Sequence, residues 1–233
     1  MSKHSSPRLL DQAAPVPLRR KPRQHRSRAT ADAITEAFLQ LLVEQGYDKV
    51  SIRQIVHRAG VGIGSFYEYF DSKLAVAAVC VHQHVMRVAR RMNASVGAHA
   101  HAPLPVRVDA LIEAQLHDVL AEPERWAAIL RIERQVSPVA VYQRVYGEFA
   151  QIWARGLSAG PDWPEQAPLQ ASALSTLSIA YGMGTHTLLA FDHAPDAQAL
   201  RQQVQWAVHG YLSVLAPHAY RGHAWPAMPG QPM

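Results

Sequence analysis

The stretch Ser51–Lys73, SIRQIVHRAGVGIGSFYEYFDSK, constrains this chain more than any other. Ser51 and Gln54 have the Ser-x-x-Gln spacing of a capping box: the hydroxyl accepts from the third amide of a new helix, and the glutamine reaches back to the cap. Ile52, Ile55, Val56 and Ala59 then recur at helical spacing. Gly60 supplies a residue able to take positive φ and stop that helix after barely two turns. Val61 returns the chain to a core, Gly62 loosens the backbone, and Gly64–Phe70 forms a second short helix with Phe66 and Phe70 inward. Two short helices joined by a glycine turn make a helix-turn-helix.

The outward residues of the second helix are Ile63, Ser65, Tyr67 and Tyr69, and Lys73 opens a third helix. An ordinary solvated hairpin would show glutamates and lysines there. This composition suits contact with another surface, as in a recognition helix. The window resembles the DNA-binding domain of TetR-family transcriptional regulators. Their usual pattern is a capped Ser or Thr, an Ala-Gly-Val turn, then Gly-[Ser/Thr]-x-Tyr-x-x-Phe-x-x-Lys. Here it reads Ala59-Gly60-Val61, Gly64-Ser65-Phe66-Tyr67-Glu68-Tyr69-Phe70 and Asp71-Ser72-Lys73. Three positions depart from the family's habit: Val56 where a small alanine is common, Gly62 where a Ser or Thr often caps, and Ile63 where a polar or basic residue is common. The first bears on packing and the others on operator choice.

The resemblance implies a double-stranded DNA operator as partner. The DNA-binding set is Arg53, Ile63, Gly64, Ser65, Tyr67, Tyr69 and Lys73. Tyr67 offers a phenol and Lys73 a charge for phosphates. Arg53, Ile63, Ser65 and Tyr69 are the base-reading candidates. Arg53 has the donors to grip a guanine, or lies on a merely solvated face, and Ile63 has the shape to meet a thymine methyl.

The charge agrees. Residues 1–73 carry twelve Lys/Arg against seven Asp/Glu, and the rest of the chain carries eleven of each, so the whole formal excess of +5 lies within residues 1–73, the end that holds the helix-turn-helix. A basic end on a neutral body implies one nucleic-acid-facing surface. Residues 1–26, with four prolines and the run Arg19-Arg20-Lys21-Pro22-Arg23, read as a disordered basic arm that either solubilises the chain or contacts phosphates. One cysteine, Cys80, excludes an intrachain disulfide, and its apolar helical surroundings make it a buried structural thiol. No signal peptide core and no spanning apolar run is present, which leads to the expectation of a soluble cytoplasmic protein without a membrane partner.

With 233 residues, 48% of them hydrophobic, more than a minimal DNA-binding module must fold. Gly and Pro signals fall between helical runs, so the class is all-α, with about nine helices. Residues 27–73 form the three-helix domain, 74–216 a larger helical domain, and 217–233 a flexible tail. Within the body, a fourth helix runs to about Asn93, Gly97–Pro105 is a loop, and Arg131, Glu133 and Arg134 face solvent. His82 and His84, as His-x-His on a helix, point to opposite faces, so no metal site is expected. No catalytic spacing or cofactor motif is present, and an enzyme is not expected.

By resemblance, the body dimerises through its last two long helices as a four-helix bundle. Leu174, Leu177, Leu188, Val204, Val208, Tyr211 and Leu212 are the interface candidates, and two-fold symmetry then matches a palindromic operator. By the same resemblance, the middle helices enclose a pocket for a small apolar or aromatic effector. Its candidate residues are Trp126, Tyr142, Tyr146, Trp153, Tyr181, Met183 and His186, all of which could equally be packing. The resulting expectation is a homodimeric repressor released by its effector, with a ligand-independent architectural DNA-binding dimer as the alternative and a helical enzyme as a remote one.

Overall fold

A computed structural model describes residues 25–190 and 195–223. Nearly all of the basic arm and the last ten residues of the tail lie outside them. Among the described residues there are nine α-helices, one 3-10 turn and no strand: α1 His25–Gln45, the turn Tyr47–Lys49, α2 Ile52–Ala59, α3 Ile63–Tyr69, α4 Lys73–Ala98, α5 Leu104–Ala121, α6 Pro123–Val136, α7 Val139–Leu157, α8 Leu169–Ala190 and α9 Ala197–Leu215. The order and number match the sequence expectation. Helix α4 runs about a turn beyond Asn93, because Asn93 satisfies its amide on the Ala89 carbonyl within the helix instead of breaking it.

The chain divides into two compact units, and the division falls elsewhere than at residue 73. The first holds the helix-turn-helix, α4 as far as Met86, and Glu124–Val145. Its core joins Ile34, Phe38 and Leu42 of α1 to Ile55 and Phe66 of the helix-turn-helix, to Val76 and Cys80 of α4, and to Ala128, Ile129, Ile132 and Val136 of α6. An apolar stripe on α6 therefore completes a core that three short helices alone cannot fill. Arg125 of α6 also donates a two-pronged hydrogen bond to Glu36 of α1, at 2.7 and 3.1 Å. Cys80 is fully buried, and that burial raises its thiol pKa far above the ordinary value. Arg131 and Arg134 face solvent as expected, but Glu133 is buried, with 5% of its surface exposed.

The second unit holds Arg87–Pro123 and the chain from Tyr146 onward. Its polar centre is Arg107, 3% exposed, whose guanidinium donates to the carbonyls of Ala102, Gly156 and Leu157 and to Asp162. Two of those carbonyls are orphan acceptors at the end of α7, so Arg107 caps that helix from the side. Asp162 in turn accepts from the Leu104 amide at the start of α5. Gly156 is the next-to-last residue of α7, where a Cβ would run into Leu111. Trp153 is sealed in this core and donates its indole N–H to Gln115 at 2.9 Å.

Two expectations about the end of the chain need correction. The tail does not begin loosely: Ala216 and Tyr220 are buried, and the Tyr220 hydroxyl lies 2.9 Å from Nδ1 of buried His209, whose Nε2–H donates to Asp109. Among the interface candidates, Leu177, Leu188, Val204, Val208 and Leu212 are buried within their own chain, Tyr211 is half-buried, and only Leu174, at 55%, is well exposed. The long apolar stripes of α8 and α9 are consumed first by the protomer's own core.

Two outcomes are expected. Arg107→Ala leaves three carbonyls and a carboxylate without their donor, so urea unfolding should show a loss of roughly 3 kcal/mol. Arg125 holds the Glu36 carboxyl below its ordinary 4.5 by hydrogen bonding, against a smaller opposing effect of burial. A depressed carboxylate contributes stability above its unfolded pKa and loses it as pH falls through the folded one. Glu36→Gln should therefore reduce the drop in unfolding midpoint between neutral pH and pH below 4.5, by a small amount since the pair is partly exposed.

Candidate nucleic-acid interface

The capping box forms as the sequence predicts. The Ser51 hydroxyl accepts from the Gln54 amide at 3.3 Å, and the Gln54 side chain accepts from the Ser51 amide at 2.8 Å. Gly60 ends α2 with φ 66°, in the left-handed region that glycine alone enters freely. Val61 N–H returns to the Val56 carbonyl at 3.0 Å, which fixes the turn. Helix α3 then packs Phe66 and Phe70 inward, at 0% and 1% exposure with ring centroids 5.8 Å apart. Truncating either ring to alanine would remove roughly 3–5 kcal/mol, enough to threaten a small domain.

These two anchors leave Arg53 and His57 of α2 and Ile63, Gly64 and Tyr67 of α3 exposed, with Ser65 half-buried. Ile63 is 50% and Tyr67 45% exposed. The expectation fails for Tyr69, which is 6% exposed and belongs to the core. Phe66, Tyr69 and Phe70 stand at i, i+3 and i+4, one face of a helix, and that spacing was the signal to read.

Lys73 is also placed differently. Its ammonium donates to the carbonyls of Tyr47 and Val50, both at 2.9 Å, and sits 4.1 Å above the Tyr47 ring. Two donors and a cation–π contact tie the start of α4 to the turn that leads into α2. Lys73 is thus a brace that sets the angle of the helix-turn-helix. Arg58 is likewise held, by a two-pronged pair with Glu44 at 2.7 and 2.8 Å. The hydroxyl of Ser72, three residues past α3, accepts from the Ala75 amide and caps α4.

The effector candidates are divided between the two units. Trp126 and Tyr142 lie in the first unit, the former buried edge-on to His84 and the latter under the Arg134 guanidinium, 3.8 Å from its ring centroid. Tyr146, Trp153, Tyr181, Met183 and His186 lie in the second, where Tyr146 and Tyr181 meet edge to face at 4.8 Å and His186 is exposed. A small open cleft in the first unit, with a cavity volume of about 20 Å³, is lined by Val81, His82, Val85, Glu133, Ser137, Val141, Tyr142 and Val145. Only Tyr142 among the candidates lines it. The others were missed because valines and a single glutamate carry no signal until two helices are packed.

Residues 34–80 match the family of bacterial regulatory proteins described as the tetR family. An uncharacterized HTH-type transcriptional regulator of Bacillus subtilis, YvdT, is 44% identical over 45 residues, 19% of this chain and 23% of its own. The transcriptional regulator AcuR of Cereibacter sphaeroides is 32% identical over 102 residues, 41% of this chain and 46% of its own. The matched stretches thus span less than half of these relatives. The fold extends further. The fatty acid degradation regulator FadR of Bacillus halodurans superposes with a TM-score of 0.66 at 17% identity, over 82% of this chain and 97% of that one. SmeT, the repressor of the Stenotrophomonas maltophilia multidrug efflux pump SmeDEF, gives 0.59 at 18% identity, over 79% and 90%. Residues 34–80 are thus similar to the DNA-binding region of tetR-family regulatory proteins, and the chain as a whole shares its fold with these solved regulators.

Since Lys73 is engaged by carbonyls, Lys73→Met should lower stability by about 2 kcal/mol, the range for hydrogen bonds to a charged donor. The salt dependence of DNA binding should stay unchanged, whereas loss of a phosphate contact would reduce the slope by about one. Chemical unfolding and a salt titration of DNA affinity separate the two roles.

Proposed function

We propose that the protein is a homodimeric repressor that blocks a palindromic operator and is released by a small, largely apolar effector. The observation that carries the dimer is α8. None of its 22 residues is charged, yet it leaves Leu174, Ser178 and Leu189 exposed. An uncharged helix that exposes leucines gains from further burial, and this face has no cover among the described residues. Gly182 in α8 and Gly210 in α9 add to this reading: neither takes positive φ, and a Cβ on either would meet nothing. Glycine inside a helix is destabilising by roughly 0.5–1 kcal/mol against alanine, and close approach of a second helix is what offsets it. Two-fold symmetry would then present two copies of α3 to two half-sites.

The effector reading is supported by the cleft between α4, α6 and α7. Val81, Val85, Val141 and Val145 make its walls apolar. Its α4 and α6 walls belong to the helices that complete the helix-turn-helix core. A ligand preferring one arrangement of those helices acts on the base of the recognition helix through shared packing, and typical coupling of 1–3 kcal/mol would weaken operator binding by roughly 5- to 150-fold. That SmeT, with the same fold, is a repressor favours repression over activation.

DNase footprinting on the chain's own upstream region should show one protected palindrome, and transcription from it should rise when the gene is removed. For the dimer, Leu174→Arg should give folded monomers by sedimentation and circular dichroism. Val208→Arg, at a position buried in the protomer, should unfold the chain. A folded Leu174→Arg dimer would move the interface elsewhere.

A further inference from the structure

Gly62 and Gly64 flank Ile63 at the start of α3, and the fold explains neither of them. Gly62 has φ −75° and ψ 153°, ordinary values for any residue, and Gly64 is helical without positive φ. A Cβ at either would meet nothing within 4 Å. A serine at Gly62 would supply the side-chain cap that α3 lacks, and an alanine at Gly64 would favour a helix only seven residues long. Stability alone therefore argues against both glycines. What they do together is clear two side chains from around Ile63, whose apolar side chain then stands half exposed at the start of the second helix of the helix-turn-helix.

Glycine without a conformational reason fits where another surface must approach the backbone closely. On the DNA-binding reading, which this inference rests on, that surface is the floor of the major groove. The apolar group displayed there is the thymine C5-methyl. We propose that Ile63 is a specificity residue that reads a thymine methyl at short range, and that Gly62 and Gly64 keep the groove from being held off.

In vitro selection from a randomised duplex library with the full-length wild-type chain gives the preferred half-site. Each thymine in it is then replaced by uracil, which lacks only the methyl. At one position the replacement should weaken wild-type binding by about fourfold, the worth of one methyl group leaving a buried contact. Ile63→Ala should bind the thymine and uracil duplexes equally at that position, while still discriminating elsewhere. Gly64→Ala should raise the melting temperature and yet lower affinity for the selected duplex, an opposition that a merely structural glycine cannot produce. Circular dichroism confirms that both variants are folded. The proposal is overturned if no thymine-to-uracil replacement changes binding, if Ile63→Ala keeps the same preference, or if Gly64→Ala binds as tightly as wild type. Enrichment of no sequence at all would instead remove the DNA-binding reading underneath it.

Discussion

The packing of α6 against the helix-turn-helix is the constraint on which the rest of the first unit depends. Residues 27–73 supply three helices, two of them of eight and seven residues, and isolated helices that short are marginal in water. Ala128, Ile129, Ile132 and Val136 lend the missing apolar surface, and Arg125 adds a pair to Glu36 of α1. The DNA-binding element is therefore not an independent module on a flexible joint. Any shift in α6 is a change in the core that holds Phe66 and Phe70, and hence in the aim of α3. A close-packed interior transmits such shifts instead of absorbing them.

What the sequence made legible follows from how local each signal is. The Ser51 cap, the Gly60 stop and the inward Phe66 and Phe70 all depend on residues a few positions apart, and all appear in the structure. Helix order and number were also legible, because Gly and Pro punctuation is local. Tyr69 was misplaced by reading alternate residues along α3 as outward, a strand period applied to a helix, when its i+3 relation to Phe66 settles its direction. Lys73 and Arg107 show the opposite limit. Their partners lie 23 to 26 and about 50 residues away in sequence, and no periodicity points to a backbone carbonyl. The interface candidates show a third limit: an apolar stripe identifies burial but not the chain that provides it, and Leu177 and Val208 are buried within their own chain while Leu174 is exposed.

The placement of charge divides affinity from specificity within the DNA-binding end. Arg58 is tied to Glu44, and Lys73 is spent on the carbonyls of Tyr47 and Val50, so neither is available as a simple phosphate contact. On the proposed reading, the counterion-releasing share of binding would fall on Arg28, Lys49 and Arg53 and on the basic residues N-terminal to His25. Those charges attract any duplex and carry no sequence information. The tip of α3 is built the other way, with Gly62, Ile63 and Gly64 offering no charge at all. A tip that gains little from the phosphate backbone gains from DNA only when shape and base edges match, which is the condition for reading one sequence among many. On the proposed reading, an uncharged tip beside a basic N-terminal segment would let the chain hold DNA loosely everywhere and tightly at a few sites, and the Lys73 brace, by fixing the angle at which that tip is presented, would belong to specificity more than to attraction.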